Sequence, residues 1–397
     1  MAEMSVDEAL NRANVDIQAG RHQEARNLLE AILKVEDKHP RALIGLSVVS
    51  FQQGDLPNAV NYISGIVLEN PFDSDLLGTC SALLRSFSVE EFADRVEAIR
   101  DDAKKDARTI RACLDGFLNM ADFGSSGEAI VRVPSEIASA IHFISLDALS
   151  VGSNRSKFGR YSPINCVIAP TAGDYEFREK HFIYASSLLE DKQEVLEAFG
   201  LRDLARVKAV HKVKAKRMSD ALDEIGVSGL DYFKSDLEGI DGLVLRDARQ
   251  HIAGAAVVQA ELRFMPAYEG EPHFDETVAY MRGQDFEVLH LTNENWRYAT
   301  RHRDHMARGR TVFADTVFVK NIDTYLSLQG RSTEAVVRYC LACGVSGNAN
   351  YAEFILEKHK ELVPCDLVAA LVNYLIPKAR FGQPQFAKTR LGHVAMS

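Results

Sequence analysis

Apolar positions repeat at helical spacing through the first hundred residues. Leu76 to Phe87 and Val89 to Ile99 are the last clear helix pair there. Asp101 to Phe123 continues as a helix with its charges on one face. Gly124-Ser125-Ser126-Gly127 breaks it, and a domain change is expected there or slightly later. Helix and strand patterns then alternate, which predicts an α/β sheet. Ile141 to Leu146 reads as a buried strand, and Val207 to Lys216 as a strand with one lysine-rich face. Phe233-Lys234-Ser235 reads as a short strand running into acids, before a helix that carries Leu243 and Val244. Thr333 to Leu341, Tyr351 to Leu362 and Asp366 to Leu375 read as closing helices, and the tail from Pro377 is basic.

A repeat organises the first region. Ala19-Gly20-Arg21-His22-Gln23-Glu24-Ala25 recurs as Gln53-Gly54-Asp55-Leu56-Pro57-Asn58-Ala59, an offset of 34 residues that Leu29 and Ile63 share. Pro40 and Pro71 close the two units. The pattern resembles tetratricopeptide repeats, in which helix pairs stack and leave a concave face for a protein partner. At least about three units are needed to bury a continuous face. The pair Leu76–Phe87 and Val89–Ile99 is the candidate third.

The acidic cluster lies in Lys234-Ser235-Asp236-Leu237-Glu238-Gly239. Ligands of open α/β sheets bind at the carboxyl ends of strands, so carboxylates there are candidates for contacting a polar substrate or a cation. Glu238 and Asp241 also suit the first turn of the following helix. Tyr184-Ala185-Ser186-Ser187-Leu188-Leu189 precedes this segment, and Pro266-Ala267-Tyr268-Glu269-Gly270 follows the strand from Ala256. A helix from Phe274 to Gly283, a strand at Asp285–Val288 and a closing strand at Phe313–Lys320 come next. Residues 141–322 thereby resemble the FkbM-type methyltransferase family. The resemblance rests on a Lys-Ile-Asp-Val-Glu-Gly-like motif, a Ser-Ser-Leu loop and a Pro-x-Tyr-x-Gly loop.

The resemblance implies a Rossmann-like sheet, S-adenosylmethionine as methyl donor and a glycan or other hydroxylated acceptor. Its first motif, Asp-Val-Gly-Ala-Asn-x-Gly, finds its best match at Ser150-Val151-Gly152-Ser153-Asn154, with Asp147 as an alternative for the leading acid. That match assigns the donor to Gly152, Asn154 and Asp236, and the catalytic roles to Asp236, Glu238 and Glu261; Glu261 could equally be a strand-end acid paired with Arg263. No metal is implied. The segment from Ile164 to Phe177 resembles a later part of the family, so the sheet is expected to be truncated by one strand-and-helix unit, and the acid that would hold the donor ribose to be lost. The expected domains are repeats at 1–100, a helical linker at 101–135, the methyltransferase-like domain at 136–323 and a helical extension at 324–397. Two functions follow: an O-methyltransferase, or a degenerate methyltransferase fold that acts as an interaction module through its repeats.

The net charge of −10 argues against general nucleic-acid binding. Met1 to Gly20 lacks the pattern of a secretory signal, and no run approaches the about 20 apolar residues of a membrane span. The 6 scattered cysteines predict reduced thiols and a cytoplasmic setting. Cys340 and Cys343 lie in a helical pattern without further ligands at zinc spacing, so they read as core residues. The basic run from Arg301 to Arg310 reads as a solvated loop or as an acceptor lid for anionic sugars, with Arg301, Arg303 and Arg308 as its contacts. His302 and His305 are too few for a metal site.

Overall fold

The computed structural model describes residues 6–70, 72–124, 130, 133–146, 155–182, 185–300 and 309–376. The chain forms two compact units, one of residues 1–110 and 366–397, the other of residues 111–365. No helix among the described residues is long and apolar enough to cross a membrane.

The first unit contains three helix pairs: α1 (Val6–Gln18) with α2 (His22–Val35), α3 (Pro40–Gln52) with α4 (Leu56–Glu69), and α5 (Ser74–Ser86) with α6 (Glu90–Ala112). Each pair turns on a left-handed residue, Gly20 at φ 72°, Gly54 at 79° and Ser88 at 61°. Ser88 holds the glycine position of a third repeat. Ala25, Ala59 and Ala93 share its offset and are fully buried, because a larger side chain would separate the paired helices. Ser47 Oγ donates to the Ala59 carbonyl at 2.8 Å, and Ser81 Oγ to the Ala93 carbonyl at 3.4 Å. Helix Cys365–Leu375 joins this unit through Asn373, which donates to Asp106 at 3.1 Å, and Tyr374, whose ring meets Phe72 edge-on. The closing helices therefore do not form one extension from 324 onward.

The second unit is built on seven strands: β1 (Leu118–Phe123), β2 (Ile141–Leu146), β3 (Arg160–Pro163), β7 (Tyr232–Ser235), β8 (Val257–Arg263), β9 (Phe286–Trp296) and β10 (Arg310–Lys320). Their order is β3-β2-β1-β7-β8-β10-β9. The strands from β3 to β8 are parallel, whereas β10 runs antiparallel to both β8 and β9. A separate sheet of β4 (Val167–Ile168), β5 (Gly173–Lys180) and β6 (Val207–Lys216) is inserted between β3 and β7, in the order β4-β6-β5. On β6, Lys208 and His211 pair with Glu179, Lys216 pairs with Glu224, and Lys212 and Lys214 are exposed.

Three expectations are corrected. The helix ends at Ala112, and 118–123 is an inner strand of the sheet. Five of its six residues are buried, and a strand buried on both faces loses the alternation that would distinguish it from a buried helix. Gly124 ends that strand, so the glycine-serine stretch begins as a strand-end turn inside the unit rather than as a domain boundary. The main sheet has seven strands, where a sheet shortened by one strand-and-helix unit was expected.

One face of the sheet carries the apolar core. Phe123, Ile144, Phe233, Val258, Leu262 and Phe318 point into it. At the amino edge, α13 (Ile322–Gln329), α14 (Thr333–Val345) and α15 (Ala349–Lys358) continue the fold beyond the last strand. Arg338 of α14 pairs with Asp231 at 3.2 Å and donates to the carbonyls of Asp115 and Phe117. Cys340 and Cys343 are free and fully buried, as core residues are.

Candidate active site

The strand order reverses between β1 and β7, because the chain moves outward to β2 and β3 from one and to β8 from the other. In open α/β sheets such a reversal leaves a crevice at the carboxyl ends of the strands. Here the two strand ends meet closely. Gly124 has φ 94°, and a Cβ at this position would lie 1.8 Å from the Asp236 carbonyl oxygen. The Asp236 amide donates to the Phe123 carbonyl at 2.8 Å. Any side chain at 124 would force the loops apart.

Beyond β7 the backbone takes two left-handed steps, Glu238 at φ 50° and Gly239 at 100°. A Cβ on Gly239 would meet the Tyr268 ring at 2.7 Å. This tight turn projects Glu238 back over the strand ends. Asp241 opens the next helix, α10 (Asp241–Asp247), and anchors the turn. Its carboxyl group accepts from Ser235 Oγ and from the Leu237 amide. Burial pushes its pKa up to about 7.

The three segments that carry the sequence resemblance converge on Glu238. Tyr268 donates to its carboxylate at 2.9 Å, and Ser187 Oγ donates to its carbonyl at 2.7 Å. Arg263, at the end of β8, donates to Glu238 at 2.9 Å and to Glu261 at 2.8 Å, and it faces Glu271 at 2.8 Å. Its guanidinium also lies over the Tyr268 and Phe313 rings. Lys180 forms a buried pair with Asp191 at 2.6 Å. Arg263, Glu271, Lys180 and Asp191 were not singled out as site residues from sequence. They are scattered over some ninety positions, from 180 to 271, and no motif joins them.

Asp236, Glu238 and Glu261 lie within 4.8 Å of one another. Burial raises the pKa of all three, and Arg263 opposes the rise. Arg263 occupies the space between Glu238 and Glu261, a poor setting for a metal cation. Asp236 differs from its neighbours, since its side chain makes no hydrogen bond among the described residues. Gly152 and Asn154, the expected donor contacts, lie outside the described residues, as do Asp147 and Arg301–Arg308. The segment Ser150–Gly159 follows β2 rather than the first strand. An open hollow of about 450 Å³ is bordered by Glu197, Gly200, Arg202 and Asp203, none of which belongs to the carboxylate group.

Residues 16–83 match the tetratricopeptide repeat family. No curated protein and no solved structure matches the chain.

Proposed function

We propose that the second unit is an S-adenosylmethionine-dependent O-methyltransferase of FkbM type, with a Rossmann-like sheet, acting on a hydroxylated acceptor. The observation that supports this reading is the strand order β3-β2-β1-β7-β8-β10-β9, whose reversal between β1 and β7 lies beside the acids Asp236, Glu238 and Glu261. A glycine turn after the first strand of such a sheet lets a nucleotide-like ligand approach the backbone. With β1 at Leu118–Phe123, that turn reads Asp122-Phe123-Gly124-Ser125-Ser126-Gly127. The acid that holds ribose hydroxyls belongs after the second strand, and Asp147 is the next residue after β2. These positions replace Gly152 and Asn154 in the donor assignment.

The donor set fits the group. Arg263 holds Glu238 and Glu261, so Asp236 is the carboxylate left to face a sulfonium cation. Bound S-adenosylmethionine would supply an electrophilic methyl group. Asp236 accepts the hydrogen bond of the acceptor hydroxyl and takes its proton as the oxygen attacks. Its raised pKa suits a group that must gain a proton near neutral pH. Glu238 and Glu261, held by Arg263, keep the negative field fixed, and alignment supplies most of the rate. The repeat match supports recruitment of a protein partner by the first unit.

Calorimetry with S-adenosylhomocysteine tests the reading. The wild type and Asp236→Asn should bind it, and Asp147→Ala should not. At about a hundredfold excess over Kd, the ligand should add about 2.7 kcal/mol of stability. Asp236→Asn should slow methyl transfer by roughly 10²–10⁴-fold. Absence of heat and of a thermal shift with millimolar ligand would overturn the assignment.

A further inference from the structure

Strand β9 ends the main sheet, and β10 is its one strand neighbour among the described residues. It is 11 residues long and contains no proline, lysine or glycine. No backbone hydrogen bond reaches it from any other element among the described residues. An exposed edge presents a row of unpaired N–H and C=O groups to a further strand. Natural edges are guarded by shortness, by proline or lysine, or by bulges. In the β9–β10 ladder the register shifts fall between Thr311 and Phe313 and between Val317 and Phe318. They frame the run His290–Glu294 and leave it regular. Within that run His290, Thr292, Asn293 and Glu294 are exposed, and Leu291 is half-buried.

The run is complementary to itself. Alternate residues of a strand share a face, so His290, Thr292 and Glu294 lie on one side. Two copies of β9 set antiparallel about a two-fold axis at Thr292 place His290 of each opposite Glu294 of the other. Leu291 then faces Asn293, and Thr292 faces its own copy. An imidazole N–H can donate to the facing carboxylate, and paired threonines are favourable cross-strand neighbours. Opposed Cβ atoms lie about 5 Å apart, within reach of both pairs. Of the β10 residues facing the run, Phe313 to Val317, only Asp315 is charged, and it lies opposite Thr292. Across the joined edges it would stand three strand spacings, about 14 Å, from its copy. That exceeds the about 8–10 Å over which exposed charges act in physiological salt.

We propose that β9 is a dimerisation edge, and that its occupant is β9 of a second copy of this chain, paired antiparallel about Thr292. The main sheet then runs through both copies. Two-fold symmetry uses the His290–Glu294 contact twice, which favours a second copy over an unrelated strand. The pairing makes no use of the carboxylates at the strand ends, so its failure would leave the methyl-transfer reading as it stands.

Analytical ultracentrifugation of the full chain tests the pairing. The wild type should pass from monomer to dimer as its concentration rises. His290→Glu sets like charges opposite each other at both contacts and should raise the dimer Kd about tenfold. Combining His290→Glu with Glu294→Lys reverses each pair and should restore association. Both positions are exposed, so circular dichroism should show the same fold in every variant. Thr292→Cys should form a disulfide between copies on oxidation, because opposed Cα atoms of antiparallel strands lie about 4.5–5.5 Å apart, within disulfide range. His290→Cys, with the same number of thiols, should not. A wild type that stays monomeric at sub-millimolar concentration, an unchanged Kd in His290→Glu, or no rescue by the charge exchange would each overturn the proposal. Equal cross-linking of the two cysteine variants would do the same.

Discussion

The two units bury their polar groups in opposite ways. In the repeats the buried polar groups are mostly small hydroxyls, and Ser47, Ser64 and Ser81 each give their hydrogen to a helix carbonyl. Asp16, held by Arg21, is the one buried charge among the described residues there. In the sheet unit charges are buried in groups: Lys180 with Asp191, and Arg263 with Glu238, Glu261 and Glu271. Hydroxyls bonded to backbone are buried at little desolvation cost, and Ser47 and Ser81 join one helix to the next. Clustered charges are costly to bury, and replacing them with apolar residues often stabilises a protein. The Arg263 group lies at the carboxyl end of β8, beside the proposed site.

The contrast can be broken most forcefully at Arg263. Arg263→Met would leave Glu238, Glu261 and Glu271 without their cation. Stability should fall by about 3–5 kcal/mol, as read by urea unfolding of the full chain. A loss below about 1 kcal/mol would mean that the carboxyls simply keep their protons and that the cluster is not held by this pair. Next come the glycines. Gly124→Ala puts a Cβ against the Asp236 carbonyl, whereas an alanine at Gly20 meets nothing within 4 Å. Left-handed backbone costs either alanine about 1–2 kcal/mol, and overpacking adds a further 1–3 kcal/mol at 124 alone. Equal losses in the two variants would deny the close approach. The smallest effect is at Ser88. Ser88→Gly restores the repeat's turn residue and should stabilise by about 0.5–1 kcal/mol in thermal melts. A destabilised variant would show that the serine side chain is needed at this turn.

The repeats were legible because the same small residue returns at the same offset, and one sequence comparison exposes the geometry. The third unit needed the structure, since its turn residue is serine rather than glycine. The three loops around Glu238 were legible as separate motifs because each is contiguous. Their meeting was not legible, because it depends on β8 lying beside β7 and on the loop at Ser187 reaching back over both. The inner strand at 118–123 escaped the sequence reading for a physical reason. Leu118-Asn119-Met120-Ala121-Asp122-Phe123 is buried on both faces and carries no alternation. Its glycine then looked like a break between domains. With that strand read as helix, the best match to the first motif fell after β2. Glu261 was read as either catalytic or paired with Arg263, and the pairing is what the geometry shows.

Arg338 sets where the chain can be cut. Its guanidinium reaches from α14 to the carbonyls before β1 and to the carboxylate before β7. A fragment bounded by sequence resemblance, 141–322, would omit both β1 and this arginine. It would leave Asp231 buried without its counter-ion and β7 without one of its two parallel neighbours. Recombinant work on the sheet unit alone has natural limits at Arg111 and Cys365. Crystallisation screens or deletion libraries that start from the motif boundaries would be sampling an incomplete sheet.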